Sequence, residues 1–62
     1  MTKQEMMDKM VQDFGMENEH VIKFFQWCEN NPNAEYIDLM DAYNTNTENA
    51  VREILNNSER IW

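Results

Sequence analysis

His20 is the only imidazole in the chain, and it stands among Glu17, Glu19 and Lys23. A histidine paired with a carboxylate is the usual general base. No nucleophile accompanies it, so the sequence favours an exposed histidine at a helix start. Cys28 is the only thiol. Its neighbours Trp27 and Glu29 supply no cation to lower its pKa, and it reads as a small buried member of an apolar face. Asp13-Phe14-Gly15 spells the metal-binding tripeptide of protein kinases, but a kinase domain needs several times this length and further motifs. Asp38, Asp41, Asn44, Asn46 and Glu48 offer oxygen ligands, yet no register supplies the glycine and the bidentate glutamate of a calcium loop. One Cys and one His cannot close a structural zinc site. No set of residues offers a positioned acid, base and nucleophile. The chain is therefore expected to be no enzyme and to need neither cofactor nor metal.

Charge is the chain's stronger signal. Seven of its twelve carboxylates (Glu17, Glu19, Glu29, Glu35, Asp38, Asp41 and Glu48) fall in residues 17–48 with one cation, Lys23. That stretch carries −6 of the net −7. Such a field attracts basic partners and repels phosphate. Direct nucleic-acid binding rests on Lys and Arg neutralising phosphates, and five scattered cations do not provide it. Attachment to an anionic membrane surface fails on the same count. The acidity has a plain alternative meaning, solubility.

These side chains have to be positioned by a small body. Sixty-two residues make one domain at most, and a chain this short buries only about 60% of its unfolded surface. No disulfide is available from one cysteine, so partner binding or self-association is the remaining aid to stability. The polar start, Met1-Thr2-Lys3-Gln4-Glu5, has no apolar signal-peptide core. No apolar run approaches the ~20 residues of a membrane span, and a cytoplasmic protein is expected.

The hydrophobic pattern predicts an all-α fold, a compact bundle of three or four short helices in a single domain over 1–62. Thr2-x-x-Glu5 is a capping box. Met6, Met7, Met10, Val11 and Phe14 follow at helical spacing, and Gly15 ends the first helix. Asn18 caps a second helix, whose Val21, Ile22, Phe24, Phe25, Trp27 and Cys28 make a face broad enough to be contacted from two sides. Asn30-Asn31-Pro32 ends it. Asn31 as N-cap with Pro32 at the first helical position opens a third helix carrying Tyr36, Ile37, Leu39, Met40 and Tyr43. Asn44-Thr45-Asn46 reads as a break, and Thr45-x-x-Glu48 as a second capping box. That box opens a fourth helix with Ala50, Val51, Ile54 and Leu55, and Ile61 and Trp62 extend its spacing.

Six residues are predicted to bind a partner. Glu35, Asp38 and Asp41 recur at i, i+3 and i+6 as an acidic stripe. Trp27, Tyr43 and Trp62 are candidates for an exposed aromatic hot spot, while Phe24, Phe25 and Tyr36 are expected in the core. Met6, Met7, Met10, Met16 and Met40 suit either a core or an adaptable surface, and adjacent Met6 and Met7 cannot both point inward.

The reading that unites these features is a protein-binding module, a regulator or inhibitor of a partner with a basic surface. Nine asparagines against three alanines suit a phage or mobile-element accessory protein. One alternative is a nucleic-acid mimic whose carboxylates occupy a basic groove. Another is a structural homo-oligomer held by methionine and aromatic surface.

Overall fold

A computed structural model describes residues 1–60, with side chains through Asn57. Three helices follow one another: α1 Lys3–Phe14, α2 Glu19–Asn30 and α3 Tyr36–Arg60. The all-α bundle is as expected, and no strand occurs among the described residues. No helix among the described residues is long and apolar enough to cross a membrane.

The first two helices begin and end where local chemistry directs. The Thr2 hydroxyl accepts from the Glu5 N–H at 3.1 Å, and the Glu5 carboxylate accepts from the Thr2 N–H at 3.4 Å. This satisfies two backbone donors at the start of α1 reciprocally. Gly15 closes α1, its N–H donating to Val11 O at 2.8 Å. Its φ of 91° lies where side-chain-bearing residues are strained. Asn18 then caps α2, its Oδ1 accepting from the His20 N–H at 2.8 Å.

The third helix departs from expectation at both ends of the predicted break. It does not start at Asn31-Pro32. Asn31 is instead the C-cap of α2, where its backbone N–H and its Nδ2 both donate to Trp27 O, at 3.0 and 2.9 Å. Its side chain is committed to the preceding helix and cannot cap the next. Pro32 and Asn33 form a turn, and the first bond of α3 runs from Leu39 N–H to Glu35 O at 3.0 Å.

Nor does the chain break at Asn44-Thr45-Asn46. The predicted third and fourth helices are one helix of 25 residues, roughly 37 Å long at 1.5 Å per residue. The polar run tolerates a helix because Asn46 bonds within it, the following Thr47 bonds to α1, and the remaining polar side chains stay in water. Asn46 Nδ2 donates to Ala42 O, one turn back, at 2.9 Å, and the Thr47 hydroxyl donates to Met10 Sδ at 3.2 Å. Asn44 and Thr45 face solvent.

Met6, Met10, Val21, Phe24, Cys28, Leu39 and Tyr43 make the core. Met6 is buried and its neighbour Met7 half-buried, as one helical face requires. Met16 is exposed and Met40 half-buried. α2 packs on both other helices, as its broad apolar face requires, with Phe24 fully buried and Phe25 half-buried.

Continuity of α3 reorders the expected aromatic roles. Leu39, Tyr43 and Ala50 fall on one face, at i, i+4 and i+11, and all are buried. Tyr43 is therefore core and not an exposed hot spot, 8% accessible with its ring edge-on to Phe24 at 5.8 Å. Tyr36, expected in the core, is 55% exposed. It shares the face of Tyr43 but is the first residue of α3, at the rim, where its hydroxyl meets the Met1 amino group at 2.9 Å.

Candidate protein-binding groove

Three of the six predicted binding residues lie together. Trp27, near the end of α2, and Asp38 and Asp41, on the first half of α3, line a groove of about 530 Å³ with Asn31, Ala34, Ala42, Thr45 and Asn46. Local structure builds it. The two hydrogen bonds from Asn31 to Trp27 O turn the chain sharply beside the indole. Ala34 and Ala42 leave space that larger side chains would fill. Asn46, also in the lining, folds its amide back onto Ala42 O.

The indole is half-buried against the core, while Asp38 and Asp41 are exposed. Among the described residues no Lys, Arg or His lines the groove, and neither aspartate joins an ion pair. An aromatic face beside two free carboxylates is chemically suited to a guanidinium or ammonium group. The ring attracts the cation through its quadrupole, and a carboxylate accepts charge-assisted hydrogen bonds.

The other three predicted residues do not line this groove. Glu35 is exposed just before α3, with its carbonyl taken by Leu39 N–H. Tyr43 is in the core. Trp62 lies outside the described residues.

A second cluster joins the start of α2 to α3. His20 is not the exposed residue its sequence suggests; it is 8% accessible. Its Nε2 lies 2.6 Å from Glu53 Oε2 and 3.5 Å from Glu19 Oε1. The reason is again the length of α3, which carries Glu53 past the predicted break to cover the start of α2. No local signal announces a pairing across 33 residues.

The ligand atoms of Glu19, His20 and Glu53 lie within 4.8 Å of one another, close enough to surround a metal ion. His20 Nδ1 is buried without a hydrogen-bond partner among the described residues. A metal on Nε2 would place the ring proton on Nδ1, where no acceptor supports it, although metal-bound histidines almost always have such support. With Nε2–H donating to Glu53, Nδ1 keeps only a lone pair, the less costly arrangement. The cluster fits a latch between α2 and α3 better than a metal centre.

The hydrogen bond with His20 holds the Glu53 carboxyl below its ordinary range; Glu19 and Lys23 act in the same direction, and a slight desolvation opposes them. A carboxyl whose folded pKa lies below its unfolded one stabilises the fold above the unfolded value and loses that contribution as pH falls. Glu53→Gln is therefore expected to lower the melting temperature at neutral pH. The gap from the parent protein should close as pH drops through and below the ordinary value of 4.5. A gap that stays constant from neutral to acid pH in circular-dichroism melts would contradict the latch.

Cys28 is buried, and burial pushes its thiol pKa up, with Lys3 opposing. A raised thiol pKa suits the core role expected of it rather than a thiolate nucleophile.

Compared with known proteins, the chain matches no family model, no curated protein and no solved structure.

Proposed function

We propose that this chain is a non-catalytic binding module that takes an arginine or lysine side chain of a protein partner into the groove between Trp27, Asp38 and Asp41. The observation that carries the reading is a half-buried Trp27 lining one groove with two exposed aspartates, which have no counter-ion among the described residues. Binding there would regulate the partner by occupying a basic segment of its surface. The carboxylates supply attraction and orientation, and the indole supplies apolar contact of the kind that dominates binding hot spots.

The nucleic-acid mimic draws on the same charges. It has less support, because a mimic needs a convex line of carboxylates, whereas Asp38 and Asp41 open into a recess beside an aromatic ring and Glu35 lies outside it.

The test is titration of the ¹⁵N-labelled protein with an arginine-rich peptide, using a glutamate-for-arginine peptide as control. The expected result is a shift of the Trp27 indole resonance, assigned with a Trp27→Phe variant, together with the Asp38 and Asp41 amides, for the basic peptide alone. Unmoved Trp27, Asp38 and Asp41 signals would refute the assignment.

A further inference from the structure

The second half of α3 carries a surface that the groove does not use. Val51, Ile54 and Leu55 are 43%, 47% and 58% exposed. Thr47, Glu48, Val51, Arg52 and Leu55 line a shallow apolar recess of about 330 Å³ on one flank of the helix. α1 and α2 have 12 residues each against 25 in α3, so the shorter helices cannot cover its whole length. The molecule is accordingly elongated, 44 Å by 19 Å by 18 Å.

Helical geometry makes this surface complementary to itself. At about 100° and 1.5 Å per residue, Glu48 and Arg52 lie roughly 60° and 100° to one side of Val51. Thr47 and Ile54 lie roughly 40° and 60° to the other. When two copies cross antiparallel at Val51 about a two-fold axis, like edges face each other. Glu48 of one copy then comes within about 3 Å, along the axis, of Arg52 of the second copy. The symmetry repeats the pair. Val51 meets Val51, Leu55 lies on the charged edge beside the second copy's Glu48, and Thr47 faces the second copy's Ile54 on the opposite edge.

Local charge complementarity, set against the repulsion of the whole chain, fits a second copy as the occupant. The chain carries −7 overall, and like copies repel over most of their surface. Glu48 and Arg52 cancel, so the recess adds no net charge of its own, and antiparallel pairing turns these two residues into attraction. We infer that the protein self-associates as an antiparallel, two-fold dimer through the Thr47–Leu55 face of α3. The contact is short, which places it among weak, concentration-dependent interfaces. It shares no lining residue with the Trp27 groove.

Sedimentation equilibrium over about 10 µM to 1 mM, with charge-swapped variants, tests the inference. The parent chain is expected to rise from the 7.5 kDa monomer toward twice that mass. Arg52→Glu sets like charges opposite each other and should weaken association roughly tenfold. Combining it with Glu48→Arg restores both cross-pairs and should return association to near the parent level. Both positions are exposed, so the variants should keep the parent's far-ultraviolet circular dichroism. A monomer across the whole range, association indifferent to Arg52→Glu, or a double swap no better than the single one would overturn the dimer.

Discussion

Phe24→Ala is expected to lower the unfolding free energy by about 3–5 kcal/mol, the range for deleting a fully buried phenylalanine. Phe24 has no accessible surface, sits on α2, which packs on both other helices, and packs edge-on with Tyr43 at 5.8 Å. Removing the ring deletes that contact and leaves a cavity between α2 and α3. At roughly 0.05–0.15 kcal/mol per residue, a chain of this size has little stability beyond that loss. The variant should therefore be largely unfolded at 37 °C, or melt with a broad, early transition. Urea unfolding followed by circular dichroism reads the change, and a loss below about 1 kcal/mol would mean that the core is not centred on this ring.

Asn46→Pro separates the continuous α3 from the two-helix reading of the same segment. If Thr45 capped a new helix, residue 46 would be its first position, where proline is favoured. In the continuous helix, proline removes a backbone hydrogen bond, clashes with the carbonyl four residues back, and costs about 3 kcal/mol or more. Asn46 also loses its side-chain bond to Ala42 O. The expected result is destabilisation comparable to Phe24→Ala, with loss of helical signal. A variant as stable as the parent would show that the chain bends at the Asn-Thr-Asn run.

The contrast between these residues shows what the sequence could convey. Helix starts set by a local bond are legible, as at Thr2-Glu5 and Asn18, because the donor and acceptor are two or three residues apart. The apolar spacing of Met6, Met10, Phe24 and Cys28 likewise marks a face directly. Asn31 and the Asn44–Asn46 run are ambiguous by nature, since asparagine and threonine bond equally well to a preceding helix, a following one or a neighbour. Asn31 resolves toward the helix behind it. Thr47 turns to Met10, 37 residues away. Once α3 runs unbroken, three further differences follow from it: Tyr43 rotates into the core, Tyr36 stays at the rim, and Glu53 reaches His20.

Within the groove, Trp27, Asp38 and Asp41 were legible as an aromatic and two acids, since exposure of acids on a helix is close to a rule. Their meeting in one recess was not, because it depends on how the Asn31–Glu35 turn brings α3 back beside α2. Ala34 and Ala42, which create the space, give no sign of it in the sequence.

The groove between Trp27, Asp38 and Asp41 is proposed to take a cationic side chain. The most direct measurement is calorimetric titration of one arginine-rich peptide into the parent protein and into Asp38→Asn/Asp41→Asn, at low and at high salt. Both positions are exposed and outside the core, so the variant should fold. The double variant is expected to lose most of its affinity, roughly tenfold or more for two charge-assisted contacts, and the parent to weaken as salt screens the attraction. Equal affinity of the two proteins would contradict it, and would mean that any binding of basic peptides arises from the diffuse acidity of the chain and not from the groove.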